Sequence, residues 1–153
     1  MKRIAILGGG SWGTALAIAL SRAHKPHEIF LWVRDAVLAE SIRRDRENKL
    51  YLPGHRLPDS VQVSHDAAAA LQGADVVVGA IPAAYVRSVY QRVLPHLVQG
   101  TPIVSATKGL EPASHARPKR VARAVMLRDY PPCSCAATCA LRGRRADRIR
   151  QKE

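Results

Sequence analysis

Gly8, Gly9, Gly10 and Gly13 fall within six positions of RIAILGGGSWGTALAIAL (Arg3 to Leu20), after a short apolar run and before an alanine-rich one. Glycine loses more backbone freedom on ordering than any other residue, so a cluster at a strand end points to a group that must approach the main chain closely. Gly8, Gly10 and Gly13 have the G-x-G-x-x-G spacing. That spacing alone also describes an ordinary flexible turn. Here it follows an apolar, β-branched run, opens a helix-period segment and lies in a βαβ unit about thirty residues long, the setting a dinucleotide phosphate requires. Gly8 then allows the tight turn, Gly10 lets a pyrophosphate reach the backbone, and Gly13 lets helix and strand pack closely. The first-turn N–H groups and the helix dipole face the anion.

The rest of the chain alternates between the two periodicities. KRIAILG (Lys2 to Gly8) is a continuous apolar run, the pattern of a central parallel strand covered on both faces. SWGTALAIALSRAH predicts a helix with Ala15, Ala19 and Ala23 on one stripe and Leu16 and Leu20 beside it. HEIFLWVRD (His27 to Asp35) predicts a second strand, and AVLAESIRRDREN a helix with Val37, Leu38 and Ile42 on its apolar face. LYLPGHRLPD reads as a proline- and glycine-punctuated loop, VQVS as a weak strand and DAAAALQ as a short helix. ADVVVGAIP (Ala74 to Pro82) is a buried strand, AAYVRSVYQRVLPHL an amphipathic helix and PIVSATKG a further strand. Five strands alternating with helices predict an α/β chain with a Rossmann-like, doubly wound parallel sheet.

Two positions at the carboxyl rim of that sheet bear on the ligand. At the end of the second strand an acidic residue suits the ribose 2′-hydroxyl of NAD and an arginine the 2′-phosphate of NADP; the chain offers Arg34 followed by Asp35. Asp35 serves equally as the cap of the helix beginning at Ala36, so Arg34 is taken as the cofactor contact and NADP is favoured over NAD. Lys108 in VSATKGLE lies just past a predicted central strand, beside the glycine turn. An exposed lysine is usually a solvated charge, but at this edge an ammonium suits a phosphate or a polarised carbonyl.

The segments GGGSWGTALA, LWVRD, NKLYLPG and VSATKGLE, in this order and spacing, resemble the amino-terminal domain of bacterial NAD(P)-dependent glycerol-3-phosphate dehydrogenase over residues 2 to about 112. The resemblance implies reversible reduction of dihydroxyacetone phosphate to sn-glycerol 3-phosphate, the precursor of glycerophospholipids. It also implies cofactor contacts from Ser11, Trp12 and Arg34, and a role for Lys108 shared between cofactor and substrate. Gly9 stands where relatives often carry alanine. The family's catalytic lysine belongs to a separate helical substrate domain, which nothing after Glu111 resembles, so no residue here is assigned a catalytic role and autonomous turnover is not expected.

The net charge of +12 is unevenly placed, with +4 over residues 1–115 and +8 over residues 116–153. We therefore divide the chain into a nucleotide-binding domain over 1–115 and a basic tail over 116–153, with a short helix near RVARAVMLRDY (Arg120 to Tyr130) followed by poorly structured sequence. The shift to Arg, Ala, Pro and Cys after about Ala116 is what reading a GC-rich gene out of frame produces, so a frame change or truncation is expected between Ala116 and Pro132. Cys133, Cys135 and Cys139 have no later histidine to complete a zinc site and read as stray thiols, with no metal expected. Arg142, Arg144, Arg145, Arg148 and Arg150 could retain nucleic acid through phosphates. With no aromatic after Tyr130 to stack bases, specific recognition is not expected. The start lacks a signal-peptide core, and the apolar window from Ala67 to Val86 is broken by Gly73, Asp75, Gly79 and Pro82, so neither export nor a membrane span is expected. Reduced thiols then place the chain in the cytoplasm. A non-catalytic dinucleotide-binding module and a basic-tailed nucleic-acid-binding protein are the alternatives, and no oligomeric state is read from the sequence.

Overall fold

A computed structural model describes residues 1–129 of the chain. In order, its elements are β1 (Lys2–Leu7), α1 (Ser11–Ser21), β2 (His27–Trp32), α2 (Ala36–Asp45), β3 (Glu47–Asn48), β4 (Leu52–Arg56) and β5 (Val61–Ser64). They continue with α3 (Ala67–Leu71), β6 (Val76–Gly79), α4 (Val86–Val93), β7 (Ile103–Ser105) and α5 (Pro118–Asp129). Single 3₁₀ turns flank α4 at Ala83–Tyr85 and Leu94–His96.

β1 is the axis of the molecule because successive side chains of a strand point to opposite faces, and its run has an apolar residue for each. Ile4 and Ile6 enter a core layer with Ala17 and Ile18 of α1 and Ile42 of α2. Ala5 and Leu7 enter the other, with Leu71, Val86, Tyr90 and Val93. The five main strands are parallel in the order β5-β2-β1-β6-β7, and β1 runs in register with β2 from Lys2↔His27 to Leu7↔Trp32. The chain winds outward through β2 and β5, then returns across β1 to β6 and β7. The gap beyond the carboxyl ends of β1 and β6 is therefore the switch point where open α/β sheets hold ligands.

All five expected strands are present, and three details differ from the sequence reading. In α1 the buried stripe is Gly13, Thr14, Ala17 and Ile18, while Ala19 and Ala23 face solvent. Both stripes of this helix consist of residues that are either small or apolar, so periodicity alone did not select the inward one. In α2, Ala39 and Ile42 are buried but Val37 is 81 % exposed. That helix also ends three residues early. Arg46 takes a left-handed conformation (φ 52°), its guanidinium donates to the carbonyls of Pro58 and Val61, and Glu47 and Asn48 turn into a hairpin with β4 inside the expected loop.

The apolar core does not stop at residue 115. α5 packs on α4, and Val121, Ala122 and Val125 are buried in the layer that holds Val89 and Val93. The short helix expected near Arg120 is thus a twelve-residue element of the folded unit. The cysteines, the arginine run and the poorly structured stretch named above lie outside the described residues.

Candidate functional site

The turn between β1 and α1 is built so that no residue but glycine fits at two points. Gly8 has φ +125°, and a methyl group there would overlap the Ala80 carbonyl oxygen and stand 3.0 Å from its carbon. A methyl at Gly13 would overlap the Gly8 carbonyl oxygen and also lie 3.0 Å from its carbon. Between them, Gly10 caps α1 in an extended conformation, with no side-chain cap and no acidic residue in the first turn, and a methyl group added there would meet nothing within 4 Å. The first-turn N–H groups are thus left for an outside acceptor, with the helix dipole behind them.

Across the switch point the loop after β7 closes the other wall. The Thr107 hydroxyl donates to the Gly79 carbonyl at 3.1 Å and accepts from the Ile81 N–H at 3.2 Å, pinning that loop to the end of β6. The Trp12 indole N–H donates to the Ala106 carbonyl at 3.0 Å, and the Lys108 ammonium stands 5.3 Å from the Trp12 ring centre. Gly10, Ser11, Trp12, Thr107 and Lys108 share with Ala80, Ile81 and Pro82 a cleft of about 290 Å³. A second cleft of about 370 Å³ is also lined by Thr107, with Arg117 and Lys119 on its wall.

Arg34 lies beyond this cleft at the end of β2, its guanidinium 5.0 Å from the ring centre of Tyr85. Asp35 caps α2, its carboxylate accepting from the Leu38 N–H at 2.8 Å. The structure therefore brings Gly10, Ser11, Trp12 and Lys108 together around one cleft, with Gly8 and Gly13 beneath it and Arg34 at the next position along the rim. Sequence reasoning passed over Tyr85, Thr107 and Glu111. Only Thr107 and Glu111 carried a signal, through their place in the VSATKGLE segment.

Glu111 anchors the segment that carries Lys108. Its buried carboxylate accepts two bonds from Arg87, at 2.9 and 2.8 Å, and one from the Ser114 hydroxyl. The Arg87 hydrogen bonds, then that of Ser114, hold its pKa below the ordinary value near 4.5 against the opposing effect of burial. A depressed folded-state pKa means stability that is present above the unfolded value and lost as pH falls through the folded one. Acidification from about pH 7 to about pH 3 is accordingly expected to lower the melting temperature less steeply in Glu111→Gln than in the parent chain. Parallel curves would remove Glu111 from this role. Asp45, lowered to about 2 chiefly by its hydrogen bonds from Arg44 and Lys49, titrates equally in both proteins and cancels in the comparison.

The family model described as the NAD-dependent glycerol-3-phosphate dehydrogenase N-terminus matches residues 3–137. The chain belongs to that glycerol-3-phosphate dehydrogenase family. The match runs beyond Glu111, where the four quoted segments end, and through α5. Among curated relatives, glycerol-3-phosphate dehydrogenase [NAD(P)+] of Acidobacterium capsulatum is 44 % identical over 131 residues, covering 84 % of this chain and 38 % of the relative. The Nitratidesulfovibrio vulgaris (strain DP4) enzyme of the same name is 46 % identical over 109 residues, covering 71 % and 32 %. The crystal structure of glycerol-3-phosphate dehydrogenase from Coxiella burnetii superposes with a TM-score of 0.74 at 30 % identity, over 82 % of this chain and 38 % of that one. The chain thus spans about a third of the length of these glycerol-3-phosphate dehydrogenases. Among the described residues, no group of three or more His, Cys, Asp or Glu could hold a metal ion, and no helix is long and apolar enough to cross a membrane.

Proposed function

We propose that this chain forms the nucleotide-binding part of an NAD(P)-dependent oxidoreductase that interconverts dihydroxyacetone phosphate and sn-glycerol 3-phosphate. The observation that carries the reading is the start of α1 at Gly10, without a side-chain cap and lining a cleft walled by Trp12 and Lys108. A dinucleotide fits these residues. Main-chain amides over Gly10, Ser11 and Trp12 receive the pyrophosphate, while Gly8 and Gly13 keep the backbone low enough for it to approach. Arg34 takes the adenosine side, where its guanidinium suits a 2′-phosphate, and Tyr85 gives it a flat surface to rest on.

The bound nicotinamide supplies the hydride. The protein's own residues supply position and charge: Lys108, held beside Trp12, offers a cation to the cofactor and to the substrate's phosphate or carbonyl oxygen. A cytoplasmic location goes with this reading, since a reducing compartment keeps the three cysteines as thiols.

Titration calorimetry of the 153-residue chain with NADPH and NADH tests the reading, and saturable binding of at least one is expected. Arg34→Ala is expected to weaken NADPH about tenfold or more while changing NADH by about twofold at most, since only NADPH presents a charged hydrogen-bonding partner to the guanidinium. Absence of saturable binding would overturn the nucleotide reading. Equal losses for the two coenzymes would overturn the 2′-phosphate role alone.

A further inference from the structure

We propose that Asn48, on the hairpin strand β3, is a positioning residue that aims the glycine turn at its ligand. Asn48 is fully buried, and both polar atoms of its side chain are engaged. Nδ2 donates to the Gly9 carbonyl at 2.9 Å and to the Thr14 hydroxyl at 2.8 Å, and Oδ1 accepts from the Tyr51 N–H at 3.2 Å. Because a carbonyl only accepts, the atom facing Gly9 must be the amide nitrogen, which fixes the orientation of the group.

The consequence follows from peptide geometry. A trans peptide unit is planar with its C=O and N–H pointing in opposite directions. Tying the Gly9 carbonyl to Asn48 therefore turns the Gly10 N–H away from the hairpin. Thr14, the second partner, lies on the buried face of α1, so one side chain holds the turn and the helix it opens together. Val33 also presses close to Gly9: a methyl there would stand 2.6 Å from Val33 Cγ2. The hairpin is a firm support, since Arg46 binds across to Val61 and the Glu47 carboxylate accepts from the Gly54 N–H at 2.8 Å. A segment some forty residues along the chain thus sets the direction of an amide in the phosphate turn.

The inference rests on the dinucleotide reading above and deepens it. It makes the pyrophosphate end of the site depend on Asn48 while leaving the adenosine end alone. The test is the dissociation constants of NADPH and NADH, measured in the cold on the full chain, for the parent, Asn48→Ala, Thr14→Val and Thr14→Ser. For Asn48→Ala both constants are expected to rise about tenfold by the same factor, with the circular dichroism of a folded protein. Should that variant fail to fold, the threonine pair decides: Thr14→Val weakens both coenzymes several-fold, and Thr14→Ser, which keeps the hydroxyl, restores them. Unchanged affinity in a folded Asn48→Ala, or equal affinities of the Val and Ser variants, would reduce Asn48 to a merely structural contact. A parent chain that binds neither coenzyme instead removes the dinucleotide reading, and this inference with it.

Discussion

Gly13→Ala is expected to abolish dinucleotide binding and to leave a chain that no longer unfolds as a single cooperative unit. The added methyl would occupy the place of the Gly8 carbonyl oxygen, which belongs to the main chain and cannot turn aside as a flexible side chain could. Relief requires α1 to lift off the end of β1. That movement breaks the register of Gly13, Thr14, Ala17 and Ile18 against the sheet and pulls Thr14 away from Asn48. Overpacking of a tight core costs about 1–3 kcal/mol where side chains can adjust, and here the obstructing atom is backbone, so the cost lies at or beyond the top of that range. Natural domains have about 5–15 kcal/mol in total. Chemical denaturation followed by circular dichroism, with coenzyme titration alongside, checks the result. A variant with parental stability and affinity would mean that helix and strand are not in the close contact described above.

Trp32→Ala is the second large effect, expected to destabilise the chain by about 4 kcal/mol through loss of transfer energy and creation of a cavity. Trp32 is among the largest fully buried side chains, at 1 % exposure, and fills the layer between the sheet and α3 and α4. Its indole N–H donates to the His65 carbonyl at 3.0 Å, and its own carbonyl accepts from the Gly8 N–H at 3.1 Å. The residue therefore joins the end of β2, the start of α3 and the glycine turn. Trp32→Phe keeps most of the apolar volume but leaves the His65 carbonyl without its partner, and is expected to cost about 1–3 kcal/mol. The denaturation midpoints should fall in the order parent, Phe, Ala. If the alanine variant matched the parent, Trp32 would not be the packing centre of its layer.

How far these features were legible in the sequence depends on how local their causes are. The turn at Gly8 to Gly13 and the strands around it were readable because steric need and side-chain periodicity act within a few residues. The capping role open to Asp35 was readable for the same reason. Trp12 and Lys108 could be placed at one rim from strand order. The bond from the Trp12 indole to the Ala106 carbonyl, 94 residues away, and the approach of Lys108 to the same ring are shown only by the folded chain. Asn48 was hidden for a related reason. In NKLYLPG it is one polar residue among loop formers, and its burial depends on a hairpin that starts from a left-handed Arg46, a conformation with no glycine to announce it. The extent of α5 was obscured by the basic residues Lys119, Arg120 and Arg123, which are interleaved with the apolar Val121, Ala122 and Val125 that it buries.

The chain carries its own optical gauge. Its two tryptophans stand on opposite sides of the solvent boundary, Trp32 sealed in the interior and Trp12 46 % exposed at the rim of the cleft. Indole emission shifts to longer wavelength in water, so one ring reports on the integrity of the interior and the other on what enters the cleft. Reduced nicotinamide absorbs where indole emits, so a coenzyme seated beside Trp12 would dim the emission by energy transfer, while unfolding would instead shift that of Trp32.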